Sequence, residues 1–485
     1  MKRRTFIVGS VSGLTLLAVS ACSEPAPQPT PTVPPTQSRV PQPLAFERTD
    51  WGSDPLSRGS FSYQAVGSSA EHREALCEPV ENRLFFAGEH TAAVGAGTVQ
   101  GARVSGRRVA VDIMERAEPG ERIAIVGAGL AGATAARILA DEGFDVVVIE
   151  GRDRVGGRIQ TVTGDRWPTP IELGAGVVHD ADANSVAISL SVAGIATAEI
   201  TGSATSRVLE QRTTDGSVVE PSELGNEVVA AAREWASGQL SDLSIADAIA
   251  ASGEGEVSTT PSELGVSDAD RLENHVLADV ALGGGADADE LSSWFTEPLP
   301  VVSEGDELVT GGFEELVTRE LDGIDILPSS TVSRIEMTEG GVSLRLVRGE
   351  SYSAGRVVVT APLGVLKAGA IEFEPPLPFS HRGAVNALGM GVQDKIVLRF
   401  ETPFWSTDAT AWSVIDGDTD FPLWINLMPH TGEPILVAVT GGEAAVRLAE
   451  YGDQELLDAA LASLEPFLDE SFVSPSPSPA SGADD

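Results

Sequence analysis

The chain has 485 residues, enough to bury a large core and to divide into two or three domains. Acidic residues outnumber basic ones 72 to 32, for a formal charge of −40, so polyanions are repelled and nucleic acid is not an expected partner; the acid reads as a solubilising, exported surface. After Cys22 only Cys77 remains, which leaves no intramolecular disulfide framework, and none of the six histidines stands at metal-ligand spacing from Cys, His or acid, so no metal is expected.

Residues 1–22 read as an export signal. Arg3 and Arg4 precede Phe6-Ile7 and an apolar run from Val11 to Val19, which ends at Ser20-Ala21-Cys22 and is too short to remain as a membrane span. The opening string resembles a twin-arginine signal, the route for proteins folded before export. Its end resembles a lipoprotein box, in which Cys22 is lipidated and holds the chain to the outer face of the cytoplasmic membrane. Ordinary cleavage near Ala21, giving a secreted protein, is the alternative. Residues 23–46 are rich in Pro, Thr and Gln and read as a stalk, and residues 473–485 as a disordered Ser-Pro tail. Folded structure is expected between Leu44 and Phe472.

The next block, 47–116, carries the strings Gly59-Ser60-Phe61-Ser62-Tyr63, Arg83 to Thr91 with Gly88-Glu89-His90 inside it, and Gly97-Thr98-Val99-Gln100-Gly101-Ala102. The turn Glu118-Pro119-Gly120 follows. Ile123 to Val126 then predicts a short strand, Gly127-Ala128-Gly129-Leu130-Ala131-Gly132 a glycine-rich turn opening a helix to Ala140, and Val146 to Ile149 a second strand ending at Glu150. This is a dinucleotide fingerprint in its full βαβ context. Gly127 permits the tight turn, Gly129 lets backbone approach a pyrophosphate, and Gly132 lets helix and strand pack closely. The helix N-terminus offers unpaired N–H groups to phosphate, and Glu150 stands where a carboxylate accepts hydrogen bonds from ribose.

The continuation Glu150-Gly151-Arg152-Asp153-Arg154-Val155-Gly156-Gly157-Arg158 resembles the extended FAD motif of the flavin-containing amine oxidases. Further strings resemble the polyamine oxidase and lysine-specific histone demethylase branch of that superfamily. They are Glu172-Leu173-Gly174-Ala175-Gly176-Val177-Val178-His179; Gly311-Gly312-Phe313 with Leu316-Val317, and Thr331 to Ile335, as strands returning to the FAD domain; Val357 to Leu366; and Gly389-Met390-Gly391 with Lys395 to Leu398 and Phe404-Trp405. The block 47–116 is similar to the segment that ends the family's chains, so the resemblance implies a circular permutation. It implies an α/β fold, with a Rossmann-like FAD-binding domain (47–116, 117–185 and 301–368) and an α+β substrate domain (a helical part, 186–300, and a sheet part, 369–472).

The resemblance also implies the chemistry: an FAD-dependent oxidase of a primary or secondary amine, a polyamine included, passing a hydride equivalent to the flavin and then reoxidised by O2 to give H2O2. Lys395 becomes the active-site lysine near the reactive flavin nitrogen, and burial is expected to lower its pKa. Phe61 becomes one wall of the cage that holds the amine, Thr98 stands where a second aromatic is found in monoamine oxidases, and His179 positions a substrate nitrogen. Gly157, Arg152, Arg158, Gly174, Ala175, Val332, Glu89, Thr98 and Val99 join Gly127, Gly129, Gly132 and Glu150 as cofactor-binding residues. Ser60 replaces the cysteine through which monoamine oxidases attach flavin, so FAD is expected to be noncovalent. An L-amino-acid oxidase of the same fold is the nearest alternative. It needs a cation for the substrate carboxylate, and no Arg occurs between Trp167 and Thr205. A flavin desaturase or porphyrinogen oxidase ranks third, because Lys395 argues against it. A surface lipoprotein that binds FAD without turnover is the alternative from a different class.

Overall fold

The computed structural model describes residues 38–202, 208–297, 299–417 and 419–469. The export signal with Cys22, the stalk up to residue 37 and the Ser-Pro tail lie outside the described residues.

Residues 38–46 do not behave as a stalk. Ser38 Oγ donates to the Leu461 carbonyl at 3.1 Å, the Arg39 N–H to Glu465 Oε1 at 3.1 Å, and Val40 is buried among Trp405, Trp412 and Phe467. The Pro-rich composition hides this one apolar anchor. The first strand, β1 (Ala45–Arg48), then pairs antiparallel with the strand Gln393–Arg399. Next come β2 (Phe61–Tyr63), which pairs with Gly389–Gly391, helix α1 (Ala70–Cys77), β3 (Leu84–Phe86) and helix α2 (Val99–Met114).

The nucleotide-binding unit follows as β4 (Arg122–Val126), α3 (Leu130–Asp141) and β5 (Asp145–Ile149). Its sheet is wholly parallel, in the order Asp325–Leu327, β5, β4, Arg356–Val359, β3. Such a sheet is covered on both faces, and its strands are apolar throughout. Alternation divides them: Ile123, Ile125, Val146 and Val148 pack under α2 and α3. Ala124, Val126, Val147 and Ile149 pack with Val332 and Ile335 from a second, four-stranded sheet. The early block therefore supplies both an edge strand, β3, and a covering helix, α2.

The other large sheet has seven strands, in the order β1, Gln393–Arg399, Ile435–Gly441, Leu423–Asn426, Ala411–Val414, Leu209–Arg212 and Val218–Val219. Two expectations are corrected here. The stretch 186–300 is not only helical, because Leu209–Arg212 joins this sheet parallel to Ala411–Val414. Its inward residue is Gln211, whose amide donates to Asn274 Oδ1 at 3.0 Å, so no apolar alternation announces the strand. Residues 311–317 do not form a returning strand. They turn into the helix Glu314–Glu320, because Phe313, Leu316 and Val317 lie on one helical face and enter the core beside α3.

Candidate active site

The glycine-rich turn sets the geometry. Gly127 has φ +111°, and a Cβ there would stand 2.4 Å from Thr360 Oγ1. A Cβ on Gly132 would stand 2.1 Å from the Gly127 carbonyl, so Gly132 serves helix–strand packing and does not itself reach the cavity. Gly129 is the N-cap of α3 and offers no side-chain acceptor to the helix N–H groups, and a Cβ there would only touch the Gly156 carbonyl, at 3.7 Å. Glu150 Oε2 accepts from the Ala128 N–H and Oε1 from the Arg152 N–H, each at 2.7 Å, which ties the end of β5 to the turn. Arg152 pairs with Asp54 at 2.8 Å and donates to Ser57 at 2.8 Å, fastening the early block to the same loop.

These residues open on a cavity of about 1230 Å³, larger than the roughly 300–1,000 Å³ of an ordinary small-molecule site. Apart from Gly132, every site residue anticipated from the sequence lines it: Phe61, Glu89, Thr98, Val99, Gly127, Gly129, Glu150, Arg152, Gly157, Arg158, Gly174, Ala175, His179, Val332 and Lys395. The uncapped helix end at Gly129 and the Glu150 carboxylate, both on the cavity wall, fit a pyrophosphate and an adjacent ribose.

Glu89 is buried on the cavity wall. Burial pushes its pKa up, but Arg158 at 2.9 Å, the neighbouring His90 and Arg73, and Ser62 Oγ at 2.6 Å outweigh that and bring it down to about 2. Its Oε2 also accepts from the Gly97 N–H at 2.9 Å, fixing the approach to α2. Thr98, the N-cap of α2, accepts from the Gly101 N–H at 3.1 Å and donates to the Gly95 carbonyl at 2.6 Å. Its hydroxyl proton is thus committed to backbone, and what Thr98 presents to the cavity is small bulk.

Lys395 faces the cavity from the centre of a strand, not from the outer surface. Its Nζ donates to the carbonyls of Glu172 at 3.1 Å and Gly174 at 2.5 Å, and burial, opposed by the Glu172 carboxylate, lowers its pKa to about 8. Burial also raises Glu172 to about 7, against hydrogen bonds from the Phe313 N–H at 2.8 Å and Thr161. The neutral forms of both groups are therefore close in energy to the charged ones near neutral pH. His179 Nδ1 lies 2.9 Å from Asp306 Oδ2. An acid at that nitrogen orients the ring of a residue that lines the cavity.

Sequence reasoning assigned no role to Asp54, Ser62, Arg73 or Asp306, nor to Glu172 within its quoted string. Asp306 reaches His179 because the strands Glu307–Val309 and Val177–Val178 pair, and a two-residue strand leaves no periodicity to read.

A family model described as flavin containing amine oxidoreductase matches residues 31–114 and 130–482, most of the chain. The chain belongs to the flavin-containing amine oxidase family. Members are oxidoreductases acting on CH–NH or CH–NH2 donors, and the fold described above, a parallel nucleotide-binding sheet beside a seven-stranded sheet, is the family's. Polyamine oxidase 4 of Oryza sativa subsp. japonica is 28% identical over 361 residues, covering 71% of this chain and 72% of its own. Lysine-specific histone demethylase 2 of Homo sapiens is 28% identical over 365 residues, 72% of this chain and 44% of its own. A putrescine oxidase solved with putrescine bound superimposes with TM-score 0.55 at 22% identity, over 72% of this chain and 82% of that one.

Proposed function

We propose that this amine oxidase is an FAD-dependent oxidase of a primary or secondary amine, a polyamine included, that uses O2 and releases H2O2. The observation that carries this reading is one cavity holding both the uncapped N-terminus of α3 and, on its walls, Lys395, Phe61, Thr98 and His179. FAD, when bound, supplies the hydride acceptor for the carbon next to nitrogen. Glu150, Arg158, Val332 and the first turns of α2 and α3 hold it. Phe61 limits where the amine lies, His179 Nε2 accepts a hydrogen bond from a substrate N–H, and Lys395, with its pKa near 8, holds or releases a proton at Nζ. Ser60 Oγ is engaged with both the N–H and the carbonyl of Gln393, each at 2.8 Å, and has no thiol to offer, so the FAD is noncovalent.

The chain order is, in this reading, a permutation of the family's. Support comes from the early block contributing β1 and β3 to the two large sheets and from a family match that falls in two pieces. Export and lipidation at Cys22 complete the proposal, supported by the order of charge, apolar run and cysteine in 1–22. A mature N-terminal peptide without a lipid-sized mass increment at Cys22 rules out the anchor.

The decisive experiment is anaerobic addition of a panel of amines to the purified yellow protein, followed by admission of air. The expected result is bleaching of the flavin band by at least one amine, recovery on aeration and stoichiometric peroxide. A protein that holds FAD but is bleached by none is a binding protein and not an oxidase.

A further inference from the structure

The cavity wall contains a cation whose partners are incomplete. Arg73, on α1, is 4% exposed and lines the cavity. Its Nη1 donates to Ser62 Oγ at 2.8 Å and to the His90 carbonyl at 3.0 Å. Among the described residues its Nε and Nη2 have no hydrogen-bond or ion-pair partner, and they are not among the fully enclosed unpartnered atoms, so this edge stays accessible on a residue that lines the cavity. Burial pushes the guanidinium pKa down, and the carboxylate that opposes this is Glu89. Glu89 is already held by Arg158. Two guanidiniums therefore share one carboxylate, and the neighbouring His90, lowered to about 4 chiefly by burial, carries no charge at neutral pH. A buried cation short of a counter-charge favours an anion beside it, and a planar guanidinium edge presents two parallel N–H groups suited to an oxyanion.

We propose that Arg73 is an oxyanion-binding residue of the cavity, taking on its Nε–Nη2 edge a carboxylate of the substrate or a phosphate of the nucleotide. The proposal rests on reading the cavity as the flavin and amine site. In the first case the substrate class extends to amines that carry a carboxylate. A linear search near Leu173 misses this residue, because α1 precedes the nucleotide-binding strand in the chain.

The test compares wild type with Arg73→Met and Arg73→Lys as full chains, each checked by thermal unfolding. Flavin-free protein is titrated with FAD, riboflavin and inorganic pyrophosphate. FAD-loaded protein is titrated with acetate, and with amino acids paired with the amines left by their decarboxylation, read by flavin absorbance. If phosphate is the ligand, Arg73→Met weakens FAD and pyrophosphate about tenfold or more and leaves riboflavin unchanged. If a substrate carboxylate is the ligand, it weakens acetate and the amino acids about tenfold or more and leaves the decarboxylated partners unchanged. Arg73→Lys falls between in either case. Equal binding of all these ligands to Arg73→Met and wild type overturns the proposal. Should the variants not fold, wild type that shows no saturable binding of pyrophosphate when flavin-free, and none of acetate when loaded, overturns it equally. Failure of wild type to take up FAD at all is a separate outcome, which overturns the reading of the cavity itself.

Discussion

Lys395 Nζ donates to the backbone carbonyls of Glu172 and Gly174, and burial decides the charge of both side chains. The Glu172 carboxyl sits at about 7 instead of 4.5 because burial penalises its charged form. Between those two pH values the folded protein binds this proton more tightly than the unfolded chain does, so stability falls as pH rises through the window, by up to roughly 3 kcal/mol. Glu172→Gln removes the titration. Urea unfolding at pH 5 and pH 8 is expected to show wild type losing more stability than the variant across that interval; parallel losses would refute the assignment. Lys395 is displaced the other way, to about 8, and its proton is available near neutral pH. For Lys395→Met we expect FAD to remain bound, while rapid mixing of the reduced protein with O2 shows reoxidation slowed on the order of 10²-fold, the lower end of a general acid–base contribution. An unchanged reoxidation rate removes Lys395 from that step.

At the scale of elements, the site depends on two helices that start at the cavity and cross closely. A Cβ on Gly106 of α2 would stand 2.4 Å from the Ala131 carbonyl of α3 and 3.1 Å from Thr134 Cβ. Gly106→Val is therefore expected to force the helices apart at a cost of about 1–3 kcal/mol. Because Thr98 and Gly129 cap those helices at the cavity, FAD affinity should fall along with the melting temperature. A melting temperature that drops with FAD affinity intact would mean that the helix starts are held independently of the crossing. The same scale separates what was legible in the sequence from what was not. The unit β4–α3–β5 was legible because its turn, strands and helix are contiguous and each obeys a local rule. The strand Leu209–Arg212 was not, because its buried face is carried by Gln211 and satisfied by Asn274 from a distant helix. The contacts of Arg73 with Ser62 and of His179 with Asp306 were hidden similarly, since only tertiary pairing brings those residues together.

Over the whole molecule, the early block is an integral part of both large sheets, and the two ends of the described chain lie side by side. Ser38 and Arg39 bond to Leu461 and Glu465, and Asp469 follows four residues later, its N–H donating to the Phe404 carbonyl at 2.9 Å. The junction between the early block and the nucleotide unit, by contrast, is the exposed turn Glu118–Gly120. Permuted chains keep their fold when the joined ends are adjacent and the new ends fall in an exposed loop. Both conditions hold here. Opening the chain in that turn and joining residue 469 to residue 38 through a flexible linker of ~6 residues should therefore give a protein with the same contacts in a different order. The length-dependent part of closing so short a connection is only about 1.6 kcal/mol. The expected outcome is uptake of FAD with unchanged affinity, a melting temperature within a few degrees of the parent, and the same amine-induced bleaching. If the rearranged chain is soluble but takes up no FAD while the parent does, the position of the early block at the front of the chain is needed for folding, and the order of segments is more than a permutation of equivalent contacts.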